Sequence, residues 1–152
     1  MNGSHTIEKC YEVSNKTLNI VFEQLNSFNV MLEGIVLKPN MVISGLDCDE
    51  QADVEKVSEM TVKCLKSNVP EAVPGIAFLS GGQTSDLATE HLNCMNKNYM
   101  ESMPWNLTFS YGRALQADAL KVWGSSGGNF KLGQENLIKR ARANSLATEG
   151  AI

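Results

Sequence analysis

The sequence lacks the marks of a metalloprotein, a nucleic-acid binder or a membrane protein. Its four cysteines, Cys10, Cys48, Cys64 and Cys94, form no CxxC pair and show no metal-ligand spacing. They read as reduced thiols in a cytosolic protein. The two histidines, His5 and His91, lie far apart, and neither stands beside a candidate nucleophile. Both read as structural or surface residues. The formal net charge is −4, so there is no basic footprint for nucleic acid. No apolar run approaches the ~20 residues that cross a bilayer. Met1 is followed by polar residues, and no signal peptide is legible. What the chain does have is a hydrophobic fraction of 43% over 152 residues. That is ordinary for a globular protein and enough for one domain or part of one.

The pattern along the chain predicts α-β-α-β-α-β-α-α. Residues 6–28 carry Leu18, Val21, Phe22, Leu25 and Phe28 at helical spacing. Residues 51–67 put Val54, Val57, Thr61, Cys64 and Leu65 on one face, and residues 85–97 do the same with Leu87, Ala88, Leu92 and Met95. Residues 113–123 are rich in alanine and leucine, and a last helix is expected over 132–148. Between these two, Gly124–Asn129 reads as a flexible linker by composition.

Three apolar runs each end in a polar or glycine-bearing cluster. Ile35-Val36-Leu37 ends at Lys38-Pro39. Branched residues in such a run predict a buried strand, and proline stops it from donating further in a ladder. A lysine at the mouth of that strand is a candidate amine nucleophile toward a carbonyl, or a snorkelling strand-end lysine. Ile76-Ala77-Phe78-Leu79 ends at Ser80-Gly81-Gly82. Glycines there let backbone N–H groups approach an anion, or simply form a turn. Leu107-Thr108-Phe109 ends at Ser110-Tyr111-Gly112-Arg113. The arginine offers a planar fork for phosphate or carboxylate, or is a solvated surface charge. Each signal is weak singly. Their order, strand end followed by helix three times, matches a (β/α) barrel, whose strand C-termini face one side.

Three segments then carry a resemblance. Leu32-Glu33-Gly34-Ile35-Val36-Leu37-Lys38-Pro39-Asn40-Met41-Val42 resembles the Schiff-base strand of class I fructose-bisphosphate aldolase. Phe78-Leu79-Ser80-Gly81-Gly82-Gln83 and Phe109-Ser110-Tyr111-Gly112-Arg113-Ala114-Leu115-Gln116 resemble its next two strand ends. Ala143-Asn144-Ser145-Leu146-Ala147 resembles its C-terminal helix. The likeness runs from about Gly3 to about Gly150 in one register. It implies an α/β fold: a partial TIM (β/α)8 barrel of three parallel strands with flanking helices, residues 1–152 being the C-terminal portion. A complete barrel needs about 250 residues.

The resemblance implies a glycolytic lyase that cleaves fructose 1,6-bisphosphate reversibly to dihydroxyacetone phosphate and glyceraldehyde 3-phosphate. Lys38 would be the catalytic Schiff-base residue. Ser80, Gly81, Gly112 and Arg113 would bind substrate phosphate, and Leu79 and Ser110 would line the pocket. It implies no cofactor and no metal, because the iminium takes the Lewis acid's part. The expected partner is a phosphorylated sugar, with no nucleic acid and no membrane, in a cytoplasmic and usually homotetrameric protein. The family's acid/base glutamate, first-strand aspartate and second lysine have no counterpart in these residues. Two alternatives follow: a non-catalytic aldolase fragment or partial-barrel binding protein, and another Schiff-base lyase on a barrel.

Overall fold

The computed structural model describes residues 1–125 and 129–152. Among the described residues the α-helices are α1 (Ile7–Ser27), α2 (Val54–Asn68), α3 (Ser85–Tyr99), α4 (Arg113–Ser125) and α5 (Phe130–Ala147). The strands are β1 (Gly75–Phe78) and β2 (Asn106–Phe109), paired in parallel with Ile76 opposite Leu107. Short 3-10 turns occupy Leu32–Gly34 and Met100–Ser102. Four helix starts carry a side-chain cap. Thr6, Asp53, Thr84 and Asn129 accept from the backbone N–H of Lys9, Lys56, Leu87 and Leu132 respectively. Each such cap stabilises its helix by about 1 kcal/mol.

The fold is α/β, with two parallel strands among the described residues where three are expected. Ile35–Leu37 is not a strand. It makes one isolated parallel bridge, Leu37 to Ile76. Leu37 N–H donates to Gly75 O at 3.2 Å, Ala77 N–H to Leu37 O at 2.8 Å and Leu79 N–H to Pro39 O at 3.0 Å. A regular parallel ladder needs its next donor at residue 39, and proline has no N–H. The pairing is there in direction and register, and Pro39 stops it from becoming a continuous ladder. Nor is the run buried: Val36 is 63% exposed.

The core lies between the sheet and the helices. Ile76, Phe78, Leu107, Val57, Leu65, Leu92 and Met95 are all buried there. Helix α1 packs on α2, α2 on α3, and α3 on both α4 and α5. The α2 face predicted from spacing is the buried one, at Val57, Thr61, Cys64 and Leu65. Three positions expected inward are not: Val21 and Leu87 are each 38% exposed, and Phe28, just past the end of α1, is 75% exposed. Beyond Pro39 the chain dives inward, and Met41–Ser44 are buried. Thr61 Oγ1 accepts from Val42 N–H at 2.9 Å and ties this segment to α2. Residues 1–5 then lie along 45–47, with Gly45 N–H donating to His5 O and Asp47 N–H to Gly3 O. A Cβ at Gly45 would sit 2.0 Å from Gly3 O, so only glycine allows this approach. As for the expected 124–129 linker, Gly124 and Ser125 belong to α4 and Asn129 caps α5. Its middle, residues 126–128, lies outside the described residues.

Candidate active site

The hydrogen bonds fix three transverse rows across the segment holding Lys38, β1 and β2. Leu37 bridges Ile76, which pairs with Leu107. Ser110 N–H donates to Phe78 O at 2.8 Å, extending the register so that Leu79 faces Ser110. Successive side chains alternate between the two faces. Leu37, Ile76 and Leu107 point at the helices. Val36, Gly75 and Asn106 therefore share the other face, followed by Lys38, Ala77 and Thr108, then Asn40, Leu79 and Ser110. This second face is the open one: Val36, Lys38, Asn106 and Ser110 are exposed. Lys38, Leu79 and Ser110 are thus brought to one surface. Lys38 sits one same-face row below the other two, about 7 Å along the strands.

The edge beside Lys38 is open as well. Because Leu37 gives both its backbone groups to β1, those of Lys38 point away from it. On that side a groove of about 520 Å³ runs between the Leu37–Asn40 segment, α1 and α2. Val13, Leu18, Val21 and Val42 make its walls apolar.

At the end of β1, Gly81 (φ +60°) and Gly82 (φ +79°) are both left-handed, a conformation L-residues with side chains resist. This turn is held from inside. Gln83 N–H and Gln83 Nε2 both donate to Ser80 O, at 3.0 and 2.9 Å. Ser80 itself is buried at 7% exposure. Its side chain does not stand on the open face with Lys38, and its part in any anion site is through the turn's backbone.

At the end of β2, Gly112 O accepts from Leu115 and Gln116 N–H at 3.2 and 3.3 Å. The helix therefore begins at Arg113, whose N–H and that of Ala114 have no intrahelical acceptor, as at any helix start. Arg113 is exposed and makes no ion pair among the described residues. Arg140 on α5 is its opposite. Its side chain is 13% exposed and bonds Asp86 Oδ1 at 2.6 Å, Asp118 Oδ2 at 3.0 Å and Thr89 Oγ1 at 3.2 Å. Burial works against its charge, and the bonds to Asp86 and Asp118 outweigh it. Arg140 joins α3, α4 and α5; it is a structural clamp.

The chain is similar to known proteins along its whole length. The family model described as fructose-bisphosphate aldolase class-I matches residues 1–152.

The chain belongs to the class-I fructose-bisphosphate aldolase family.

Its similarity to a probable class 1 fructose-bisphosphate aldolase of Xanthomonas axonopodis pv. citri is 53% identity over 151 residues, 99% of this chain and 45% of that protein. It is 45% identical over 150 residues to the fructose-bisphosphate aldolase of Dictyostelium discoideum, covering 42% of that chain. Among solved structures, the aldolase of Plasmodium falciparum, in complex with TRAP and a small-molecule inhibitor, superposes with a TM-score of 0.90 at 46% identity. That match covers 99% of this chain and 43% of the other. The chain spans less than half the length of the curated relatives it matches.

The sequence assigns no role to Gln83 or Arg140 and leaves His91 as a structural or surface residue; the structure gives all three side-chain hydrogen bonds. His91 is 2% exposed and bonds Gln83 Oε1 through Nδ1 at 2.5 Å. Burial lowers its pKa to about 4. A signal existed for it: His91 falls three residues after Ala88 and four before Met95, on the inward face of α3. Arg140 had none, since an arginine on a polar helix face reads as solvated until its partners from two other helices are seen.

Proposed function

We propose that these residues carry the Schiff-base and phosphate-binding part of a fructose-bisphosphate aldolase barrel, with Lys38 as the covalent residue. The observation that carries this is the common open face: Lys38, Leu79 and Ser110 share it at the C-terminal ends of three parallel segments. The left-handed Gly81–Gly82 turn and the free amides and guanidinium at Arg113 flank it. In this reading the Leu37 segment is the sixth barrel strand, and β1 and β2 are the seventh and eighth. The protein is cytoplasmic and acts on a phosphorylated ketose. The whole barrel assembles as a homotetramer.

Chemically, the Lys38 amine adds to the ketose carbonyl, and loss of water gives an iminium. The bond between the third and fourth carbons then breaks. Its electron pair moves toward the iminium nitrogen to form an enamine, and the departing hydroxyl loses its proton to a base as the aldehyde leaves. Protonation of the enamine carbon and hydrolysis return the amine and release dihydroxyacetone phosphate. Backbone N–H groups of Gly81 and Gly112, with the Arg113 guanidinium, hold the phosphate, since they present donors and positive charge to an anion. The base is the family's fifth-strand glutamate, which has no counterpart here.

Borohydride reduction in the presence of dihydroxyacetone phosphate tests the assignment. Mass spectrometry should find a triose phosphate adduct on Lys38. Adduct formation that persists in Lys38→Ala would sink it.

A further inference from the structure

One side chain fastens the turn at the end of β1. Gln83 Nε2 donates to Ser80 O at 2.9 Å and reaches Met41 Sδ at 3.6 Å. The amide therefore has a fixed sense: its nitrogen faces Ser80 and its oxygen faces α3. The Met41 contact also ties it to the segment that carries Lys38. On the α3 side the Gln83 oxygen meets His91 Nδ1. An amide oxygen only accepts, so His91 holds its proton on Nδ1 and donates. The opposite sense would set the Gln83 oxygen against the Ser80 carbonyl oxygen, two acceptors facing each other.

The other ring nitrogen gives the arrangement its meaning. His91 Nε2 is buried with no hydrogen-bond partner. Buried acceptors are seldom left unpaired, and each exception needs a reason. A leucine would fill the space without an orphaned nitrogen, and it would give Gln83 no donor. Behind His91 its backbone carbonyl lies 3.4 Å from Ser58 Oγ on α2, whose proton also goes to Val54 O at 2.7 Å. The Nδ1–H of His91 is directed at one acceptor on the turn.

We infer that His91 is a positioning residue for the phosphate turn: by orienting the Gln83 amide, it holds Ser80, Gly81 and Gly82 in their anion-binding shape. This rests on the proposed reading of that turn as a phosphate site. His91 touches no ligand and acts through Gln83.

The test uses the isotope-labelled chain, with three readouts: the amide resonances of Gly81 and Gly82 without ligand, a titration with inorganic phosphate, and a denaturation midpoint. His91→Leu should shift both glycine resonances and weaken phosphate binding about tenfold, the lower end for loss of a partner that orients a ligand-binding group. His91→Asn, whose amide can present an N–H near the same place, should restore both even where the midpoint stays lowered. Gln83→Leu should match His91→Leu, and the double variant should be no worse than Gln83→Leu alone. If His91→Leu does not fold, Gln83→Leu carries the test by the same two readouts. Wild-type resonances and affinity in these leucine variants overturn the inference while leaving the phosphate site standing. A wild-type chain that binds no phosphate overturns the site, and the inference with it.

Discussion

Two arginines of the same type should fail in opposite ways. Arg113 is exposed and unpaired among the described residues, at the start of α4. Truncating it removes no packed atoms, so Arg113→Ala should change stability by no more than about 0.5 kcal/mol. If Arg113 binds phosphate, the same change deletes a charge-assisted hydrogen bond, about 1.5–3 kcal/mol, or at least roughly tenfold in affinity. Arg140 has the reverse ledger. Its partners Asp86 and Asp118 are 80% and 45% exposed, so each ion pair contributes under about 1 kcal/mol. The bond to Thr89 adds about 1 kcal/mol, because Thr89 is buried and keeps Asn144 in place. Arg140→Ala should therefore lower unfolding stability by about 2 kcal/mol with phosphate affinity unchanged. Urea denaturation and a phosphate titration of both variants decide it. A stability loss above about 1 kcal/mol in Arg113→Ala with unchanged affinity would make Arg113 structural and refute the reasoning.

Further expectations follow from burial. His91 has its pKa lowered to about 4 in the fold from an ordinary 6.5. The unfolded chain then binds more protons in that window, so stability should fall with pH from about 6.5 to 4, at up to ~1.4 kcal/mol per pH unit. His91→Asn should lack this contribution while the carboxylates titrate alike in both, and parallel curves would remove the assignment. Burial pushes the Cys64 thiol up to about 11, and Cys10 adds to it. A thiol reagent at neutral pH should therefore label Cys48 and Cys94 first and Cys64 only on unfolding; early labelling of Cys64 would mean that α1 and α2 open locally. Val36, at 63% exposure on the open face, should contribute to binding of a hydrophobic dye. Val36→Ser should reduce that signal, and an unchanged signal would shift attention to exposed Trp123 and Phe130.

Local pattern carried most of the fold. The helix spacing in 51–67 and 85–97 found α2 and α3 because their apolar positions face one sheet, and β1 and β2 lie where two strands were expected. The third strand failed for a reason that was itself visible. Pro39 reads as a ladder breaker, yet its consequence for Ile35–Leu37 depends on which strand pairs with it. Phe28 misled because helical spacing continued past the residue where the helix stops. At the site, the family resemblance rather than the strand-end order names Leu79 and Ser110 beside Lys38, and alternation explains why the three share a face. It could not give Ser80 its orientation, because a residue leaving a strand into a left-handed turn no longer follows the two-residue period. His91 was passed over because its partner, Gln83, lies in that turn, eight residues away.

The division between the two faces also separates two kinds of competence. The groups assigned to the proposed covalent step are on this chain: an amine on the open face, a turn with two left-handed glycines, and a guanidinium that makes no ion pair among the described residues. None of these depends on the side chains that would cover that face. Cleavage is different. It needs a base at the departing hydroxyl, typically a factor of 10²–10⁴. Glu33 is the carboxylate nearest to Lys38 in sequence, and it lies in the 3-10 turn before the bridge. The two stand five positions apart, and Glu33 lies in that turn rather than in the extended run, so strand alternation does not bring it onto the face of Lys38. Trapping of a triose phosphate on Lys38 without measurable cleavage of fructose 1,6-bisphosphate is therefore the expected pair of results. Cleavage by this chain at a whole enzyme's rate would require a base among its own residues and would overturn the division.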